Sequence, residues 1–231
     1  MCRIIATRGQ SALLNFAVNM SDRILLQNRV DPFGRLHANA SRGLLMGNRG
    51  GCFHRDDQSL RPQHWVSQRW ICCVTEFRGR HRKVMSPGRY TEVFFLDEAT
   101  ALAAGHRPCF ECRRQRAVHF VDCLMSSGRY DQRPRADDLD ALIARQVIAR
   151  LAFEDVPRPV SVSELPDGAI FNAGGRVFLK IGGCAHAWSF EGYGGAEPLP
   201  ERGNQLTCEA VCDALRGGYQ PVFHPSLIPK A

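Results

Sequence analysis

Cys109 and Cys112 stand two residues apart in GHRPCFECRR (106–115), and this spacing restricts the fold more than any other feature of the chain. Two residues between thiolates let a turn fold back and present both sulfurs to one tetrahedral ion at about 2.3 Å each. The preceding residues enforce the turn. LDEATALAAG (96–105) opens with Asp97 and Glu98 and closes on Gly105, the marks of a helix with acids at its positive end and a glycine cap. Pro108 then prevents the helix from continuing. A C-x2-C pair is half of a four-ligand site, so the remaining ligands must come from elsewhere in the chain.

HWVSQRWICCVTEF (64–77) is aromatic and β-branched and reads as a strand ending at Arg78-Gly79. RYTEVFFL (89–96) reads as a second strand after the Ser86-Pro87-Gly88 turn, and the two are expected to pair as a hairpin whose tip is RGRHRK (78–83). Residues 28–52 are rich in Gly, Asn and Arg and read mostly as loop. Within them GLLMGNRGGCFH (43–54) offers backbone amides for a phosphate, with Arg42 and Arg49 as partners. AVHFVDCLM (117–125) and DDLDALIARQVIARLAF (137–153) carry helical periodicity. From 154 the texture changes to short β-like runs, with Ala173-Gly174-Gly175 as a hairpin turn.

The net charge of +7 conceals an asymmetry. Residues 1–120 carry 19 Lys and Arg against 9 Asp and Glu, a balance of +10, whereas residues 121–231 carry 11 against 14, a balance of −3. Basic character therefore belongs to the half that holds the cysteine turn, and it is almost entirely arginine, whose planar fork suits phosphate. DNA or RNA is the expected partner. The ten cysteines are scattered along a chain long enough to bury its own core, which points to free thiols in a reducing cytoplasm rather than to a disulfide framework. No run approaches the roughly 18 to 20 apolar residues of a membrane span, and residues 1–19 read as an extension before an alternative start at Met20.

FFLDEATALAAGHRPCFECRR (94–114) resembles the C-terminal half of the Ada-type zinc-binding module, whose pattern is a strand, a short helix and then G-aromatic-R-P-C-x-x-C-R. The match runs through Phe95, Glu98, Ala99, Ala104, Gly105, Arg107, Pro108, Cys109, Cys112 and Arg113, with His106 in the aromatic slot. The resemblance implies zinc, and it implies that the other ligands precede the strand that leads into the helix. There the chain has Ile71-Cys72-Cys73. Successive strand residues face opposite ways, so one of the two cysteines reaches the ion; Trp70, Cys72 and Val74 form the more apolar face, which leaves Cys73 as the ligand and Cys72 as its alternative. His54 is the first candidate for the fourth position, followed by Cys52, His81 and His106. A rival set joins Cys109 and Cys112 to His119 and Cys123, one helical turn apart on the next helix.

The expected fold is α+β. An Ada-like basic zinc-knuckle domain (20–136) precedes a linking helix (137–153) and a small β-rich domain (154–231). The expected function is zinc-stabilised binding of nucleic acid through Arg78, Arg80, Arg82, Lys83, Arg107, Arg113, Arg114 and Arg116. Two other readings come from different classes. One is an enzyme acting on nucleic acid, either a nuclease using His54 or an acceptor of alkyl groups at Cys73, the role that the Ada resemblance implies for a zinc thiolate. The other is a structural zinc protein that binds a protein partner.

Overall fold

The structure is a computed structural model that describes residues 25–80, 83–152 and 159–227. It is a mixed α+β fold, in which the described residues form two six-stranded sheets and four α-helices. The first sheet contains β1 (Gln27–Val30), β2 (Leu36–Ala38), β3 (Leu45–Arg49), β4 (Trp70–Val74), β5 (Val93–Phe95) and, after helix α1 (Glu98–Ala103), the two-residue β6 (Arg107–Pro108). Their spatial order is β2-β1-β5-β3-β4-β6.

That order corrects the expected hairpin. β3 lies between β4 and β5 and is antiparallel to both, so the segments at 70–74 and 93–95 do not touch as neighbours. β3 is also the stretch read as a phosphate loop. Its burial alternates, with Leu45, Gly47 and Arg49 buried and Met46 and Asn48 less so. Gly47 is required by crowding rather than by a turn: a Cβ there would stand 2.2 Å from the Ile71 carbonyl oxygen and 2.8 Å from the Phe95 ring. A glycine that admits a neighbouring backbone carries the same sequence signature as a glycine in a loop.

Helices α2 (Arg114–Ser126) and α3 (Ala136–Leu151) follow. The second sheet holds β7 (Pro159–Ser161), β8 (Ile170–Ala173), β9 (Arg176–Ile181), β10 (Cys184–Ser189), β11 (Gly192–Glu197) and β12 (Arg202–Gln205), ordered β11-β10-β9-β8-β12-β7, and α4 (Glu209–Arg216) ends the set. The β8–β9 turn is Gly174-Gly175 as expected. Both residues have positive φ, +57° and +76°, the geometry of a two-residue hairpin loop that suits right-twisted strands.

α1 joins the two halves. All six of its residues are buried. Ala101 and Ala104 pack with Val30, Leu45 and Phe95 of the first sheet, while Ala99 and Ala103 pack with Ile170, Leu179 and Leu206 of the second. Small side chains on both faces let two sheets approach one short helix. α3 is a core element rather than a tether: Leu139 and Ile143 join a cluster with Phe120, Phe171 and Val211, and Ala144 and Val147 pack on Trp70. Buried contacts therefore run across residues 136 and 154, where the composition changes.

The Glu98 carboxylate is fully buried and collects four donors: Arg113 Nη2 at 2.9 Å, Arg116 Nη2 at 2.8 Å, the Tyr219 hydroxyl, and the Val222 amide at 2.9 Å. Burial pushes this carboxyl up, but the Arg113 charge and the Tyr219 and Val222 hydrogen bonds outweigh it and hold Glu98 below the ordinary range. Replacement by alanine would leave two guanidinium groups around an uncompensated site. Glu98→Ala is expected to cost about 3–5 kcal/mol of unfolding free energy in urea titration. Because the folded-state value is depressed, the stabilisation is present above the unfolded carboxylate value and is lost as pH falls through the folded one. Glu98→Gln is therefore expected to flatten the acid side of the stability profile, and a profile unchanged in both variants would refute the assignment.

Candidate metal centre

Cys73, Cys109 and Cys112 converge, with their sulfur atoms all within 4.8 Å of one another. Backbone pairing brings this about. β4 and β6 run parallel with Ile71 opposite Arg107 and Cys72 opposite Pro108, and the Cys109 amide donates to the Cys72 carbonyl at 2.9 Å. The next step of that register sets Cys73 beside Cys109. The turn after Pro108 then folds back, with the Glu111 amide 3.3 Å from Cys109 Sγ and the Arg113 amide donating to the Cys109 carbonyl at 3.0 Å. Cys112 is thereby carried to the same point, immediately before α2.

The arrangement suits a tetrahedral ion. Sulfurs bound at about 2.3 Å to one tetrahedral centre stand roughly 3.8 Å apart, within the spread of this cluster. Cys109 is buried and the other two are half-buried. Hydrogen bonds from Cys112 and then Cys73 hold the Cys109 thiol far below its ordinary value, while donation to Cys109 and Cys112 pushes Cys73 far up. Binding of a cation at such a set would replace thiol protons, because the metal ligand is the thiolate. Among the described residues this is the one group of three or more His, Cys, Asp or Glu ligand atoms close enough to hold a metal ion.

Strand alternation separates Cys72 from Cys73 in the direction expected. Cys72 is fully buried with Val93, Phe95 and Ala101, and Arg113 Nη1 lies 3.3 Å from its sulfur. Burial pushes its thiol up, as befits an inert core residue. The other ligand candidates lie elsewhere. His54 is buried against Thr91 Oγ1 at 2.8 Å and the Ser86 carbonyl at 3.2 Å, with Cys52 Sγ near its ring. His119 and Cys123 approach each other at 3.7 Å on α2, where Cys123 belongs to the core, and neither joins the sulfur cluster. His106 is fully buried between Trp70 and Phe95 and accepts from Arg49 Nε at 3.2 Å. His81 and Arg82 fall outside the described residues.

The arginines divide into two groups. Arg107 is buried and grips Asp140 through Nε at 2.7 Å and Nη2 at 3.0 Å, while Arg113 is buried on Glu98 at 2.9 Å. Both leave the expected phosphate surface, because in this fold their charges neutralise buried carboxylates. Arg116 is largely committed to Glu98 and to the Gln220 carbonyl. Arg78, Arg80, Lys83 and Arg114 remain exposed. Arg80 Nη2 is 3.3 Å from Glu111 Oε1, so the basic turn after β4 lies against the cysteine turn. Glu111 was not singled out by sequence reasoning, since an acid between two cysteines carries no signal of its partner.

Comparison with protein-family models, with curated proteins and with solved structures returned no match. The ligand assignment is tested by metal analysis of purified protein after dialysis. Cys73→Ser and Cys109→Ser are each expected to lose the metal found in the parent chain. Cys72→Ser should keep it while losing about 1–3 kcal/mol of stability, the cost of an unsatisfied buried hydroxyl. Loss of metal in Cys72→Ser together with its retention in Cys73→Ser would reverse the assignment.

Proposed function

We propose that this chain is a zinc protein that binds nucleic-acid backbone. The convergence of Cys73, Cys109 and Cys112 carries the metal part of the reading, because three cysteine sulfurs, one on β4 and two in the turn between β6 and α2, suit a borderline-soft divalent ion. Zinc held there would tie β4, β6 and α2 together as a scaffold. The nucleic-acid part is supported by the charge balance of +10 over residues 1–120 and by the Arg80–Glu111 contact that sets the basic turn beside the cysteine turn. Arg78, Arg80, Lys83 and Arg114 are the residues assigned to phosphate, with Arg80 exchanging Glu111 for the polyanion.

Binding of this kind depends on released counterions, so log K should fall steeply with log salt. Fluorescence anisotropy with a short DNA duplex and with single-stranded RNA tests it across a salt series. The double variant Arg78→Ala/Lys83→Ala should weaken binding and reduce the magnitude of the duplex salt slope by about 2 while metal content stays at the parent level. Absence of binding to either nucleic acid at low salt would refute the polyanion part and leave a metal of structural role.

A further inference from the structure

Cys73, Cys109 and Cys112 are free thiols whose sulfurs all lie within 4.8 Å of one another, the same convergence on which the metal reading rests. They reach this point from two places in the chain. Cys73 belongs to β4, whereas Cys109 and Cys112 sit in the turn between β6 and α2. The turn is tied to β4 by the Cys109 amide, which donates to the Cys72 carbonyl at 2.9 Å. It is closed on itself by the Glu111 amide, 3.3 Å from Cys109 Sγ, and by the Arg113 amide, which donates to the Cys109 carbonyl at 3.0 Å. These are backbone constraints, so the fold itself organises the set of three sulfurs.

A tetrahedral ion and a pyramidal centre make different demands on such a set. Zinc takes four ligands, and three thiolates around a divalent ion leave one uncompensated negative charge where Cys109 is buried and Cys73 and Cys112 are half-buried. Trivalent arsenic bonds to three sulfurs and keeps a lone pair at the fourth corner. It therefore asks nothing of the chain beyond the three cysteines, whichever group completes a zinc tetrahedron. Its complex with three thiolates is neutral, which avoids the cost of taking a charge out of water. Thiolate sulfur is also the ligand type that soft centres select. The adjacent thiol is kept out by the pleat of the strand, because Cys72 points into the core with Val93 and Phe95.

We infer that Cys73, Cys109 and Cys112 form a binding site for trivalent arsenic, captured as arsenous acid. Each sulfur bonds to arsenic, and each hydroxide leaves as water with the proton of the thiol that replaces it. Three S–H and three As–O bonds break, three As–S and three O–H bonds form, and arsenic stays trivalent. No oxidant or reductant is consumed. In a zinc-loaded chain the three protons come from the solvent and the ion is released, because both occupants use the same sulfurs.

Two arsenicals test the assignment on the full chain kept reduced with a phosphine: arsenous acid, which bonds to three thiols, and phenylarsine oxide, which bonds to two. Arsenous acid should bind one to one. Cys73→Ser should weaken it by about tenfold or more while phenylarsine oxide, held by Cys109 and Cys112, keeps the parent affinity. Cys109→Ser should weaken both, and Cys72→Ser should weaken neither. X-ray absorption at the arsenic edge needs no variant to fold, and in the parent chain it should show three sulfur neighbours and no oxygen. Absence of stoichiometric binding, an oxygen retained on arsenic, or equal arsenous acid affinity in the parent and Cys73→Ser would each overturn the inference. Its failure is separable from that of the metal reading. A parent chain that carries zinc but takes up no arsenous acid refutes the arsenic site alone, and one that takes it up without carrying zinc refutes the zinc reading alone.

Discussion

The buried carboxylate of Glu98 is the interaction on which the rest of the structure depends. It sits at the first turn of α1, the helix that both sheets share, and its two oxygens bind α2 through Arg113 and Arg116 and the C-terminal segment through Tyr219 and Val222. A charge removed from water must be answered by charge and hydrogen bonds nearby, and here the answering groups come from residues 15 to 124 positions away. One acid thereby obliges three parts of the chain to meet. Asp97 beside it repeats the pattern on a smaller scale, capping α1 through the Thr100 amide at 2.9 Å and accepting from the His224 amide at 3.1 Å.

The sulfur cluster is built on this arrangement. Arg113 follows Cys112 directly and contacts both Glu98 and Cys72, so the residue that anchors α2 also borders the strand carrying Cys73. Two adjacent cysteines on β4 thus have opposite fates. Cys72 fills the core with a protonated thiol, and Cys73 turns outward to Cys109 and Cys112. The pleat of the strand decides which is which.

The same economy limits the electrostatic surface. A formal charge of +7 suggests a broad phosphate-binding face, yet Arg49, Arg107 and Arg113 are buried and spend their donors inside the molecule. Arg107 and Arg113 meet carboxylates of the core, while Arg49 meets a carbonyl, an imidazole and an indole face. What remains outside includes Arg78, Arg80 and Lys83 in and beyond the turn after β4 and Arg114 at the start of α2. Net charge is thus a poor guide to surface charge wherever arginine is a core residue.

Local chemistry was legible in the chain. The acidic start and glycine end of α1, the tight C-x2-C turn, the opposite facing of Cys72 and Cys73 and the Gly174-Gly175 hairpin all rest on interactions spanning a few residues, and the structure contains each of them. Pairing over long distances was not legible. The insertion of β3 between β4 and β5 follows from Gly47 admitting the Ile71 backbone and the Phe95 ring, a contact that no local pattern encodes. The distances from His54 and His119 to the cluster, and the burial of Arg107 and Arg113, were likewise settled by partners far along the chain, Thr91, Asp140 and Glu98 among them. The sequence by itself determined which residues bear thiol, acid and base and how each short segment bends; tertiary structure alone decided which of them meet, because burial and charge compensation are properties of the packed whole.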